Sequence, residues 1–171
     1  MTPLAWAARA GVRRSALLAL WLALAACPVA AGAQVPGETF EAVVARVVDG
    51  DTIDVRRAGD RQALRVRLDG IDTPERGEPF ASAATRFTRA ETFGRTASVR
   101  GTDIDRYGRL VARVTIAGAD LSVALVRAGL ACVYRKYTRD PVLYRAEADA
   151  RSAGRGFWGS PQQPRCVAQA R

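Results

Sequence analysis

Five short clusters in this chain set charged or aromatic groups close together: Asp49-Gly50-Asp51-Thr52, Arg67, Asp72-Thr73-Pro74-Glu75, Asp105 to Arg109, and Tyr134 to Tyr137. Asp51, Asp72 and Glu75 offer hard oxygen donors. Two or three such carboxylates converging without imidazole or thiolate would suit Ca2+ or Mg2+. Asp49 stands beside Asp51, where two like charges repel unless a turn or a cation makes the pairing tolerable. Arg67 and Arg109 carry planar donor forks that match phosphate oxygens better than an ammonium does. Carboxylates to hold a cation, beside guanidiniums to hold an anion, are what phosphoryl transfer needs. Each motif also has a plainer reading: Asp-Gly and Asp-Thr-Pro form turns readily, and arginines along a strand can simply line a solvated face.

Composition narrows the chemistry further. The chain has no histidine, which excludes an imidazole general base and any zinc site built on His. Its 171 residues carry a formal net charge of +9, and Lys136 is the only lysine. A small, arginine-loaded domain points to a phosphate-rich partner, although a coding bias toward arginine would leave the same composition. With 49% apolar residues, a core can form without metal or disulfide staples.

The first stretch reads as an export signal. Arg9, Arg13 and Arg14 form a basic start, Ser15 to Ala26 an apolar run too short for a comfortable membrane span, and small residues follow. Ala31-Gly32-Ala33 fits cleavage after residue 33, so that 1–33 is the leader and 34–38 a short linker. Leu24-Ala25-Ala26-Cys27 offers the alternative of a lipoprotein signal over 1–26, with Cys27 lipidated and the protein tied to a membrane. Cleavage after residue 33 leaves two cysteines, Cys132 and Cys166; in an oxidising compartment they are a candidate disulfide, and otherwise two thiols.

The clusters need elements to position them. "TFEAVVARVV", "DTIDVRRA" and "QALRVRLDGI" read as three successive strands, the last two joined by the turn "AGDR". In such a meander the start of the second strand and the end of the third can share one end of the sheet, bringing Asp51 toward Asp72 and Glu75. Alternation in "ALRVRL" puts Ala63, Arg65 and Arg67 on one face and Leu64, Val66 and Leu68 on the other. "FASAATRFTRAETFG" follows as a helix with Phe80, Ala84, Phe87 and Ala90 at helical spacing and Gly94 as its stop. Strands "TASVRGTDI" and "RLVARVTI" flank the turn "DRYG". Asp120 caps a helix ended by Gly129, and Asp140-Pro141 opens another that runs to about Gly154. The expected fold is α+β and mostly β: a five-stranded OB-fold barrel with about three helices, a scaffold whose open face binds oligonucleotides or oligosaccharides.

"VVDGDTIDV", "VRLDGIDTPE", "DRYGRLVA" and "LVRAGLACVYRKY", in that order, resemble the staphylococcal nuclease (thermonuclease) family. "AEADARSAGRGFW" is similar to that family's terminal helix and closing tryptophan, here Trp158. The resemblance spans roughly Phe40 to Trp158, within a domain placed at 39–159 and followed by a tail at 160–171. It implies a Ca2+-dependent OB-fold nuclease that hydrolyses DNA and RNA with little sequence preference. A monomer is expected, and the leader would send it to the periplasm or beyond. The resemblance further implies that Asp51 and Asp72 ligate Ca2+ through carboxylates and Thr73 through its carbonyl, with Asp49 behind them. Glu75 would orient the attacking water, and Arg67 and Arg109 would grip the phosphate. Tyr107, Tyr134 and Tyr137 would contact the nucleotide. The family fold brings the region of Cys132 near Trp158, which favours a bridge to Cys166. Against the founding enzyme, the loop after Glu75 is several residues shorter. The rival readings are a non-catalytic module of the same fold that binds nucleic acid, and an envelope protein that binds other polyanions.

Overall fold

A computed structural model describes residues 36–169; the expected leader, Cys27 and the last two residues lie outside them. In chain order the strands are β1 (Thr39–Val47), β2 (Thr52–Arg56), β3 (Leu64–Leu68), β4 (Ile71–Asp72), β5 (Thr96–Ile104), β6 (Leu110–Ile116), β7 (Ala119–Asp120) and β8 (Cys132–Val133). The helices are α1 (Ala81–Thr92), α2 (Leu121–Arg127), α3 (Pro141–Ser152) and the short α4 (Arg165–Gln169).

Strict alternation makes the barrel. In β6, Leu110, Ala112, Val114 and Ile116 face inward while the residues between them are partly exposed. In β1 a bulge between Val44 and Arg46 shifts the register, so that Val47 rather than Arg46 returns to the core. The order β3-β2-β1-β5-β6 is antiparallel throughout, and β3 then pairs in parallel with β6, closing a five-stranded barrel. Val44, Ile53, Val66, Val99, Leu110 and Val114 are 0% exposed inside it. Burial of each such side chain stabilises the fold by about 1.5–3 kcal/mol.

The three expected helices form, and two of them begin where their caps require. Asp120 accepts the Val123 N–H at 3.0 Å to open α2, and Asp140 accepts the Val142 N–H at 2.8 Å to open α3. The buried face of α1 differs from the expected one. Ala84, Thr88 and Thr92 are buried, Phe87 only partly, and Ala90 is exposed. Two buried hydroxyls turn inward here because each has a backbone partner, Thr88 to Gly50 O and Thr92 to Thr88 O.

The tail adds two things that element order did not suggest. One is α4. The other is a second apolar cluster of Cys132, Phe157, Cys166 and Val167, with Phe80 and Trp158 against it. Cys132 and Cys166 form a disulfide with a Cα–Cα distance of 5.9 Å. Among the described residues no helix is long and apolar enough to cross a membrane.

Candidate active site

The corner between β1 and β2 is built by close approach. A Cβ on Gly50 would lie 2.7 Å from Thr73 Oγ1 and 2.8 Å from the Ala84 side chain, so only glycine fits. Thr88 Oγ1 donates to Gly50 O at 2.5 Å, pinning the corner to α1. Asp49 Oδ1 accepts the Asp51 N–H at 3.1 Å, closing a side-chain turn that sends Asp51 inward. Asp51 is left only 6% exposed.

Three donors converge on one oxygen there. Asp51 Oδ2 accepts from Thr73 N–H and Thr73 Oγ1, both at 2.8 Å, and meets Arg67 Nη1 at 3.0 Å. Oδ1 receives one long bond, from Thr52 Oγ1 at 3.3 Å. Arg67 stands across from Thr52 in the β2–β3 ladder, which delivers its guanidinium to this corner. Its Nη2 donates to Asp72 Oδ1 at 3.2 Å, and its Nη1 also to Leu68 O at 3.1 Å. Asp72 is carried by the small β4–β8 sheet, opposite Cys132. The structure therefore brings Asp51, Asp72, Thr73 and Arg67 together, with Asp49 in the adjoining turn.

Two carboxylates share one guanidinium, and the charge balance shows it. Burial, and then the charge of Asp51, pushes the Asp72 carboxyl up to about 6 against the pull of Arg67, with Glu75 and Glu78 adding to the rise. Burial and Asp51 likewise raise Asp49. The cluster is short of positive charge and rich in hard oxygen, so its donor set fits a divalent cation of the Ca2+ type. Among the described residues no three Asp, Glu, His or Cys side chains form a ready metal-holding group. Such a cation would thus rest on two carboxylates completed by main-chain and solvent oxygens.

Arg109 reaches the cluster from the second hairpin. Its Nε donates to Asp105 Oδ2 at 2.6 Å and its backbone N–H to Asp105 Oδ1 at 2.9 Å, while Nη1 extends to Thr52 Oγ1 at 3.5 Å. Burial opposes the Asp105 charge, but the Arg109 amide and guanidinium and the Tyr107 amide outweigh it and hold that carboxyl below its usual range. The anchor is thus firm, and the far end of Arg109 is lightly held at the edge of the acid cluster.

Glu75 does not join the cluster by contact. It is exposed, and among the described residues no hydrogen bond or ion pair ties its carboxylate. Only its charge reaches Asp72. Tyr107, 68% exposed, lies under the guanidiniums of Arg106 at 4.8 Å and Arg109 at 5.5 Å. Tyr134 and Tyr137 pack edge to face at 4.8 Å just after β8, with no bond to the acids. Arg135, between them, is taken up by Glu147 at 2.6 Å. Sequence reading placed Thr52 in the first cluster without a role, and missed Thr88 and Glu78. Thr88 has a faint signal, since it lies one helical turn beyond Ala84; Glu78 has none.

Comparison with known proteins follows the same lines. Residues 65–160 match the family described as Staphylococcal nuclease homologue. An "Uncharacterized endonuclease" from Escherichia coli O157:H7 is 40% identical over 116 residues, 67% of this chain and 74% of that protein. A "Micrococcal nuclease" from Shigella flexneri is 36% identical over 138 residues, covering 73% of this chain and 78% of the relative. "Protein ParB" from Escherichia coli is 37% identical over 163 residues, 87% of this chain and 88% of its own. With the barrel, the paired acids and the two arginines in place, the chain belongs to the staphylococcal nuclease homologue family.

Proposed function

We propose that this nuclease hydrolyses phosphodiester bonds of DNA and RNA with little sequence preference, depends on calcium, and works as an exported monomer. The observation that carries the reading is Arg67 spanning Asp51 and Asp72, with Arg109 one threonine away. Asp51, Asp72 and the Thr73 carbonyl would hold the ion, with Asp49 bracing the turn behind them. When bound, calcium supplies positive charge that neutralises a phosphate oxygen and draws electron density from phosphorus.

The chain's own groups do the rest. Thr73 fixes Asp51 through two bonds, so the carboxylate needs no reorganisation when substrate arrives. Arg67 and Arg109 present paired donors to the phosphate oxygens as charge builds on them in the transition state. Glu75, without a competing partner among the described residues, orients the attacking water. Tyr107 beside Arg106 and Arg109, and the Tyr134–Tyr137 pair, offer aromatic faces for the flanking nucleotide. The basic leader-like start and the Cys132–Cys166 bridge, which suits an oxidising compartment, support export.

Digestion of DNA and RNA by the purified chain, with Ca2+, Mg2+ or EDTA, tests the reading beside an Arg109→Ala control. Both polymers should be cut with calcium and spared with EDTA, and Arg109→Ala should cut about 10²–10³-fold more slowly. Retention of uncut DNA under every condition would identify a binding module instead. Undiminished cutting in EDTA would remove the ion from the account.

A further inference from the structure

A residue that orients water needs a fixed backbone, and among the described residues the Glu75 carboxylate has no partner to provide one. Its main chain is held instead. The Glu75 N–H donates to Glu78 Oε2 at 2.9 Å, and the Glu78 N–H donates back to Glu75 O at 2.9 Å, closing the loop on itself. The other Glu78 oxygen, Oε1, is gripped by Arg165 Nε from the tail. Arg165 is next to Cys166, whose disulfide partner Cys132 lies across from Asp72 in the β4–β8 sheet. At the far end of the same loop, Phe80 meets Phe157 edge to face at 6.1 Å, within the apolar cluster that holds Cys166 and Val167. The loop from Glu75 to Phe80 is therefore held by the C-terminal segment at Glu78 and at Phe80, and Glu75 is tied in through Glu78.

An exposed ion pair adds little on its own, and the Arg165 side chain is 74% exposed. The neighbouring disulfide changes the balance, because the guanidinium reaches Glu78 as part of an already ordered segment and little chain entropy remains to be lost. The hydrogen bond and charge of Glu78, and then the charges of Glu75 and Asp72, raise the Arg165 pKa, which places this cation in the field of the acid corner. The short loop after Glu75 thus gains an external brace on its own closing turn.

We propose that Arg165, held by the Cys132–Cys166 bridge, is a positioning residue for Glu75 and acts through Glu78. The inference rests on the role given to Glu75 above. Steady-state DNA cleavage at saturating calcium, with hydrogen exchange at the Glu75 amide, tests it on the disulfide-bonded chain carrying Arg165→Ala, Arg165→Lys or Glu75→Gln, and on the bridge-free Cys166→Ser with and without Arg165→Ala. Glu75→Gln should lower kcat by about 10²-fold. Arg165→Ala and Cys166→Ser should each lower kcat by about 10-fold at unchanged KM, and together by no more than either alone. Arg165→Lys should recover most of the rate, and Glu75 amide exchange should speed up in Arg165→Ala. A wild-type kcat in Arg165→Ala, or a loss confined to KM, overturns the proposal while an impaired Glu75→Gln leaves the Glu75 role standing. A wild-type rate in Glu75→Gln overturns both.

Discussion

Arg67 lies between Asp51 and Asp72 at 3.0 and 3.2 Å, and Arg113 lies between Asp120, at 3.2 Å, and Asp140. The two clusters have the same residue types and similar exposure, yet their acids are satisfied differently. Asp120 and Asp140 already accept the backbone N–H groups of Val123 and Val142, so each closes a helix end. Arg113 then ties the starts of α2 and α3 to β6. Asp72 receives no backbone donor among the described residues, only Arg67, and its carboxyl rises to about 6. An arginine between capped aspartates is a structural tie. An arginine shared with Asp72, which has no other donor among the described residues, marks a place to bind a cation and then an anion.

Exchanging lysine for each arginine should separate the clusters most sharply. Arg67→Lys keeps the charge but loses the fork, and kcat should fall by about 10²–10³-fold with little change in melting temperature. Arg113→Lys should do the reverse, leaving kcat within about twofold while the melting temperature drops. Equal losses of activity in the two variants would erase the distinction.

Acid should act on the first cluster through Asp72. Below about pH 6 this carboxyl takes up a proton and competes with calcium, so at limiting calcium kcat/KM should fall about tenfold per pH unit. Added calcium should move that limb to lower pH. The folded-state value lies above the ordinary 3.8, so between these values the folded chain holds a proton that the unfolded chain has released. Without calcium, Asp72 therefore makes the fold less stable as pH rises through that window. Stabilisation by calcium should grow over the same range, which thermal melts at fixed calcium can follow. A limb that ignores calcium would separate Asp72 from the ion.

Smaller effects probe the supports. Gly50→Ala pushes a methyl into Thr73 and Ala84, and urea unfolding should show a loss of about 1–3 kcal/mol together with reduced cleavage. Asp140→Ala removes the α3 cap together with one carboxylate partner of Arg113, and should cost about 1–2 kcal/mol with kcat unchanged.

Short-range order made the barrel readable in the sequence. The alternation in "ALRVRL" put Arg67 on the polar face, and Asp120 and Asp140 marked their helices because capping is a local preference. The DGD corner could be read as either turn or cation site, and in the structure it closes a turn that aims a carboxylate inward. What escaped depends on contacts between distant parts of the chain. Thr88 is buried only because Gly50 lets α1 approach, and no pattern within the helix announces a hydroxyl bonded across 38 residues. Glu78 and Arg165 are separated by 87 residues, and each alone resembles any surface charge. The pairing of Asp72 with Cys132 likewise arises from a two-stranded sheet too short to carry a strand signal.

Calcium titration by calorimetry at neutral pH, on wild type beside Asp51→Asn, Asp72→Asn and Asp120→Asn, measures the central claim without reference to catalysis. The account predicts one site in wild type, weakened at least about tenfold by either change at the first cluster and untouched by Asp120→Asn. Wild-type affinity in Asp51→Asn and Asp72→Asn would contradict it.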